Sequence, residues 1–194
     1  GEIAQINMEL MEGEDTTSQQ RADALVSIYP EEPYAWLANG LFYDRTGNYA
    51  LALAAYNEAI SIDPDYALAY YNRGLLFQNN EYYDMALTNY EQAIALDPER
   101  YEAYTNIGFI SLRRQEWDAA ITALDQAIAI SPGFSIAYNN RALAYTYREN
   151  DETPLDDYRQ ALDDWQTATD LGFVIDAETQ AIIDNITATL AENQ

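Results

Sequence analysis

The sequence predicts an all-α solenoid of stacked helix pairs, on three observations. Its 194 residues repeat a pattern every 34, seen in Glu58-Ala-Ile-Ser-Ile-Asp-Pro64, Gln92-Ala-Ile-Ala-Leu-Asp-Pro98 and Gln126-Ala-Ile-Ala-Ile-Ser-Pro132. Apolar residues recur at helical spacing on both sides of a turn near Gly47-Asn48 or Asn79-Asn80, so each unit reads as two helices of about a dozen residues. Small and large residues alternate at fixed offsets. With each repeat numbered from 1 and the first starting at residue 33, position 8 holds Gly40, Gly74, Gly108 and Ala142. Position 20 holds Ala52, Ala86, Ala120 and Ala161, and position 27 holds Ala59, Ala93, Ala127 and Ala168. Position 4 holds Trp36, Tyr70, Tyr104 and Tyr138, and position 24 holds Tyr56, Tyr90, Leu124 and Trp165. The small side chains let backbones approach while the large ones fill the space beside them. One unit cannot bury its own apolar face, so neighbours must stack.

The elements follow in order as a single domain spanning 1–194. Residues 1–32 read as a degenerate helix pair: Ile3, Ile6 and Leu10 share one face, Thr17 with Gln20 makes a capping box before the second helix, and Pro30 ends it. Four repeats span 33–66, 67–100, 101–134 and 135–172, separated by Pro at position 32, which cannot continue a helix. The fourth carries extra residues between Tyr145 and Ala161, within 149–157, where Glu149, Asp151, Glu152, Asp156 and Asp157 read as a solvated acidic loop around Pro154. Residues 173–194 form a capping helix that starts after Asp176, with Ile182, Ile183, Ile186 and Leu190 on one stripe and Glu178, Gln180, Asp184 and Thr187 on the other side. Asn185-Ile186-Thr187 fits a glycosylation acceptor triplet.

This pattern resembles the tetratricopeptide repeat (TPR) family over about residues 33–171 and more weakly beyond. The resemblance implies a right-handed α-solenoid that acts as a non-catalytic scaffold for protein or peptide partners. It also implies that the first helix of each repeat lines a concave groove and the second faces outward. The chain departs from the family at position 7, usually Leu, where it has Asn39, Arg73, Ile107 and Arg141. The Lys-containing carboxylate clamp of chaperone-binding members is absent, since all nine cations are Arg.

Composition excludes much chemistry. Without Cys, His or Lys there is no His/Cys zinc site, thiolate nucleophile, Schiff-base lysine or imidazole base, so no enzyme activity, cofactor or metal is expected. The net charge of −24 repels polyanions, which argues against nucleic acid and anionic membrane surfaces. No apolar stretch reaches the roughly 18–20 residues that span a bilayer, so no membrane insertion is expected. The protein is expected to be soluble, cytoplasmic or exported, and the start at Gly1 rather than Met suggests removal of an upstream segment. The acidic, Lys-free composition fits either a high-salt environment or genomic base composition.

Charge is partitioned between the helices. Residues 33–46, 67–80, 101–114 and 135–148, the first helices, contain six Arg and two acids, a net +4, leaving −28 on the rest. The groove is therefore expected to bind an extended segment bearing an acidic or carboxylate group. Arg45, Arg73, Arg113 and Arg141 would supply charge, and Asn72, Asn106 and Asn140 at position 6 would hold the backbone, as in the asparagine ladders of some family members. Leu75 and Phe109 would contact apolar side chains, with Tyr34 and Tyr71 as further ligand contacts. The alternative reading is a structural subunit that stacks end to end into a homo-oligomer or filament.

Overall fold

The computed structural model describes residues 15–148 and 154–193. These residues form ten helices and no strand: α1 (Asp15–Ile28), α2 (Pro33–Arg45), α3 (Tyr49–Ile62), α4 (Ala67–Asn79), α5 (Tyr83–Leu96), α6 (Tyr101–Arg113), α7 (Trp117–Ile130), α8 (Ser135–Tyr147), α9 (Pro154–Asp170) and α10 (Ala177–Glu192). The chain divides into two compact units, Gly1–Pro98 and Glu99–Gln194, each with two helix pairs. In the N-terminal unit α1 packs on α2, α2 on α3, α3 on α4 and α4 on α5. In the C-terminal unit the same succession runs from α6 to α10.

Within each pair, position 8 meets position 24. A Cβ added to Gly40 would lie 2.5 Å from the Tyr56 ring, one at Gly74 would lie 2.7 Å from Tyr90, and one at Gly108 2.6 Å from Leu124. Tyr56, Tyr90, Leu124 and Trp165 are all buried, and the fourth repeat places Ala142 and Trp165 in one cluster. Position 27 caps the second helix in three repeats: its carbonyl accepts from the backbone N–H just before the Pro, Asp63 to Ala59, Asp97 to Ala93 and Ser131 to Ala127. The helices stop there because Pro biases the preceding residue out of helical conformation.

The turns demand a conformation that three repeats meet with three different residues. Position 15 is left-handed in each, at Gly47 (φ 75°), Glu81 (φ 63°) and Gln115 (φ 61°). Only Gly47 adopts it without a Cβ penalty. Left-handed backbone costs a non-Gly residue about 1–2 kcal/mol, while Gly costs about 0.5–1 kcal/mol in lost chain freedom. Gln115→Gly is thus expected to stabilise the protein by about 0.5–1 kcal/mol, seen as a rise in the urea midpoint. An unchanged or lower midpoint would show that the Gln115 side chain contributes more than its backbone costs.

Both ends differ from the sequence reading in places. Thr17 already lies inside α1, because Ser18 and Ala22, one turn apart, are both buried and carry the helical face upstream. The first half of the N-terminal pair, with Ile3, Ile6 and Leu10, lies outside the described residues, as do residues 149–153 of the fourth-repeat insertion. The rest of that insertion is helix. α9 begins at Pro154, where the missing N–H costs nothing, and runs 17 residues against 14 for α3, α5 and α7. Asp157 is buried rather than solvated, because Arg148 reaches it. At the C-terminus the Asp176 carboxylate caps α10 by accepting from the Thr179 backbone N–H at 2.7 Å. That bond holds its pKa below the usual carboxylate range. Ile186 is buried against Trp165 and Ala161, with Glu178, Gln180, Asp184 and Thr187 exposed.

Candidate functional site

The first helices place the expected contact residues unevenly. On α6, Phe109 is 37% exposed, with half-buried Asn106 one turn before it and exposed Arg113 one turn after. α8, which packs against α6, adds half-buried Asn140. In the N-terminal unit Leu75 is half-buried on α4 and Arg45 is exposed at the end of α2. Tyr71 packs on the buried Tyr90 with ring centroids 5.8 Å apart, and Tyr34 lies 6.2 Å from Tyr29. Asn72 is buried and its amide donates to the Leu68 carbonyl one turn back at 2.7 Å, so its donor serves its own helix.

Arg73 and Arg141 depart most from the sequence reading. Both point away from the first-helix face and into the gap between two successive second helices. Arg73, on α4, donates from Nε to Asn89 Oδ1 on α5 at 2.8 Å and from Nη1 to Asn57 Oδ1 on α3 at 2.7 Å. Arg141, on α8, grips Asp164 of α9 with Nε and Nη2 at 2.8 and 2.7 Å, and Asp125 of α7 with Nη1 at 2.6 Å. Each guanidinium lies over the position-4 ring of its own helix, Tyr70 at 5.4 Å and Tyr138 at 5.7 Å. Position 7 therefore reads position 23 of its own repeat and position 25 of the repeat before. Asn39 follows the same rule in part, since its amide donates to Asp23 of α1 at 3.2 Å, and Tyr43 Oη donates to the same carboxylate at 2.8 Å.

Arg148 is likewise engaged. It reaches Asp157 on α9 with Nε at 2.9 Å and with Nη2, and Asp118 on α7 at 3.2 Å. Three of the six Arg on the first helices, Arg73, Arg141 and Arg148, are thus directed at the second-helix layer. The electrostatics divide these cations. Hydrogen bonds, to Asp164 above all, push Arg141 further up, and Asp157 does the same for Arg148. Arg73 is pushed down by burial. Sequence reasoning missed Asn57, Asn89, Asp125 and Asp164 as partners; their spacing of 16 or 23 residues from an Arg was the available signal.

Among the described residues there is no group of three or more metal-ligating side chains, and no helix is long and apolar enough to cross a membrane. Two family models match the chain. One, described as a TPR repeat, covers residues 40–81, and one, described as a tetratricopeptide repeat, covers residues 71–133. Residues 40–133 carry tetratricopeptide repeats. No curated protein matches it. Solved structures share the tetratricopeptide fold. PilF of Pseudomonas aeruginosa is 19% identical over 98% of this chain and 89% of its own, with a TM-score of 0.75. MamA is 24% identical over 83% of this chain and 90% of its own, with a TM-score of 0.69. The first tetratricopeptide domain of Spaghetti (RPAP3), bound to the HSP90 peptide SRMEEVD, is 22% identical over 64% of this chain and 93% of its own, with a TM-score of 0.56. The all-α solenoid class inferred from the 34-residue period is therefore the fold.

Proposed function

We propose that this chain is a non-catalytic tetratricopeptide scaffold that binds an extended, carboxylate-bearing protein segment on its first-helix faces. The observation that carries this reading is the α6–α8 face of the C-terminal unit. Phe109 offers an exposed ring, Arg113 an exposed cation one turn on, and Asn106 and Asn140 amides beside them. A ring of this kind gives a segment an apolar anchor, the guanidinium pairs with a carboxylate, and an amide both donates to and accepts from an extended backbone. Leu75, Tyr34, Tyr71 and Arg45 are the corresponding contacts proposed for the N-terminal unit. A relative of this fold holding an HSP90 peptide supports the class of partner.

The test is selection from a displayed peptide library followed by affinity measurement on two variants. Phe109→Ala and Arg113→Glu alter exposed groups and are expected to leave the melt nearly unchanged. Each is expected to weaken the selected peptide at least tenfold, the scale of an interface anchor at about 1.4 kcal/mol or more. Selected peptides that bind both variants as tightly as the parent overturn the reading. The alternative, end-to-end assembly, predicts a mass that grows with concentration in light scattering. The polar outer side of α10 favours a closed end.

A further inference from the structure

The same clasp is built twice with opposite charge balance. In the C-terminal unit Arg141 is neutralised by Asp125 and Asp164. In the N-terminal unit the equivalent positions are Asn57 and Asn89, so the Arg73 cation is met by two neutral amide oxygens. Arg73 makes no ion pair among the described residues. It keeps three N–H groups beyond those two bonds, since a guanidinium carries five. The Asn57 side chain is exposed, and its amide N–H₂ donates to nothing among the described residues. Arg141 and Arg148, by contrast, each pair with two carboxylates.

The two helices that Arg73 bridges also carry exposed apolar side chains. Met85 lies one turn before Asn89 on α5, and its carbonyl accepts from the Asn89 amide at 2.7 Å. Met85 and Tyr82 are each 54% exposed and Leu51, on α3, is 50% exposed. Tyr82 packs against Tyr49 with ring centroids 6.3 Å apart, joining the starts of α3 and α5. The equivalent positions of Leu51 and Met85 in the C-terminal unit are Ala119 and Gln160.

From this contrast we infer a second binding surface on the α3–α5 face, where Arg73 and Asn57 receive one Asp or Glu carboxylate of a partner protein while Leu51, Tyr82 and Met85 cover the apolar side chains flanking it. The partner supplies from outside the negative charge that Asp125 and Asp164 supply from within. A run of acidic residues does not suit the site, because the acidic shell around it repels every carboxylate that Arg73 does not pair. A lone carboxylate among apolar side chains does. The lowering of Arg73 by burial, unopposed by any acidic side chain, agrees with an unneutralised cradle. This face is formed by second helices, with Arg73 reaching into it from α4, and does not depend on the reading of the first-helix face.

The probe is the capped peptide acetyl-Leu-Glu-Ile-Leu-amide, followed by the arginine Nε–Hε resonances of the labelled protein in 150 mM NaCl (about physiological ionic strength). The Arg73 resonance is expected to shift saturably while those of Arg141 and Arg148 stay in place. Asn57→Asp, which installs the carboxylate of the other clasp, is expected to weaken binding at least tenfold without lowering the melting temperature. The Gln analogue of the peptide is expected not to bind. An Arg73 signal that the peptide leaves unmoved, or moves equally in Asn57→Asp or with the Gln analogue, overturns the proposal. So does glutarate acting at the same midpoint as the peptide, because a small free carboxylate is then the ligand.

Discussion

Asp164→Ala is expected to destabilise the protein by about 3 kcal/mol, the lower end of the cost of breaking a buried ion pair, because Asp125 still faces Arg141. Asp164 is 7% exposed and Arg141 18% exposed, and the pair is bidentate at 2.8 and 2.7 Å. Without Asp164, only Asp125, itself 47% exposed, faces the guanidinium. The loss lies in a half-buried cation left with one exposed carboxylate rather than in the pair as such. Repeat three has Ile107 and Ala123 at the two positions and needs no charge there. The double variant Arg141→Ile, Asp164→Ala is thus expected to recover most of the loss, since replacing a whole buried pair by apolar residues is often neutral or favourable. Urea unfolding of the four members of the cycle measures both effects. A loss under about 1 kcal/mol for Asp164→Ala would place this pair with ordinary surface ion pairs.

Gly74→Ala is expected to cost about 1–2 kcal/mol, although Ala is the better helix former by about 1 kcal/mol. The new Cβ would lie 2.7 Å from Tyr90 Cε1 and 3.3 Å from Asn89 Cβ. Tyr90 has nowhere to go: it is fully buried, and its hydroxyl donates to Gln78 at 2.8 Å. Overpacking of this kind costs about 1–3 kcal/mol. At Gly133, where no atom lies within 4 Å of the added Cβ, the same change carries no such cost. Comparing the urea midpoints of the two variants separates packing from propensity. Equal midpoints would mean that α4 and α5 move apart freely.

What the sequence made legible was whatever recurs with the period. The close approach at position 8 and the buried ring at position 24 were readable because the same two residue classes return together, as in Gly40 with Tyr56 and Gly74 with Tyr90. The direction of a long polar side chain was not. Arg73 and Arg141 sit on the first helices, and counting charge by helix assigned them to the inner surface. A guanidinium, however, reaches across a helix diameter, and its destination depends on which oxygens lie within reach on other helices. Asn57, Asn89, Asp125 and Asp164 decide that, and none is adjacent in sequence. Position 15 escaped for another reason. Its left-handed backbone is set by the turn, and Glu81 and Gln115 carry no trace of the demand that Gly47 advertises. Asp157 read as solvent-facing because composition alone cannot show that Arg148, nine residues before it, ends beside it.

The rule linking position 7 to position 25 of the preceding repeat has a consequence for ancestry. Modules that grow by duplication are usually treated as interchangeable, yet here repeats two and four each carry a key cut for the copy before it, and repeat three, with Ile107, carries none. Transplanting repeat two behind repeat three would bring Arg73 opposite Asp125, and transplanting repeat four behind repeat one would bring Arg141 opposite Asn57. The order of the copies is thus written into their side chains. A shuffled or shortened lineage would have had to rewrite both halves of a lock together, which favours keeping neighbours as inherited couples.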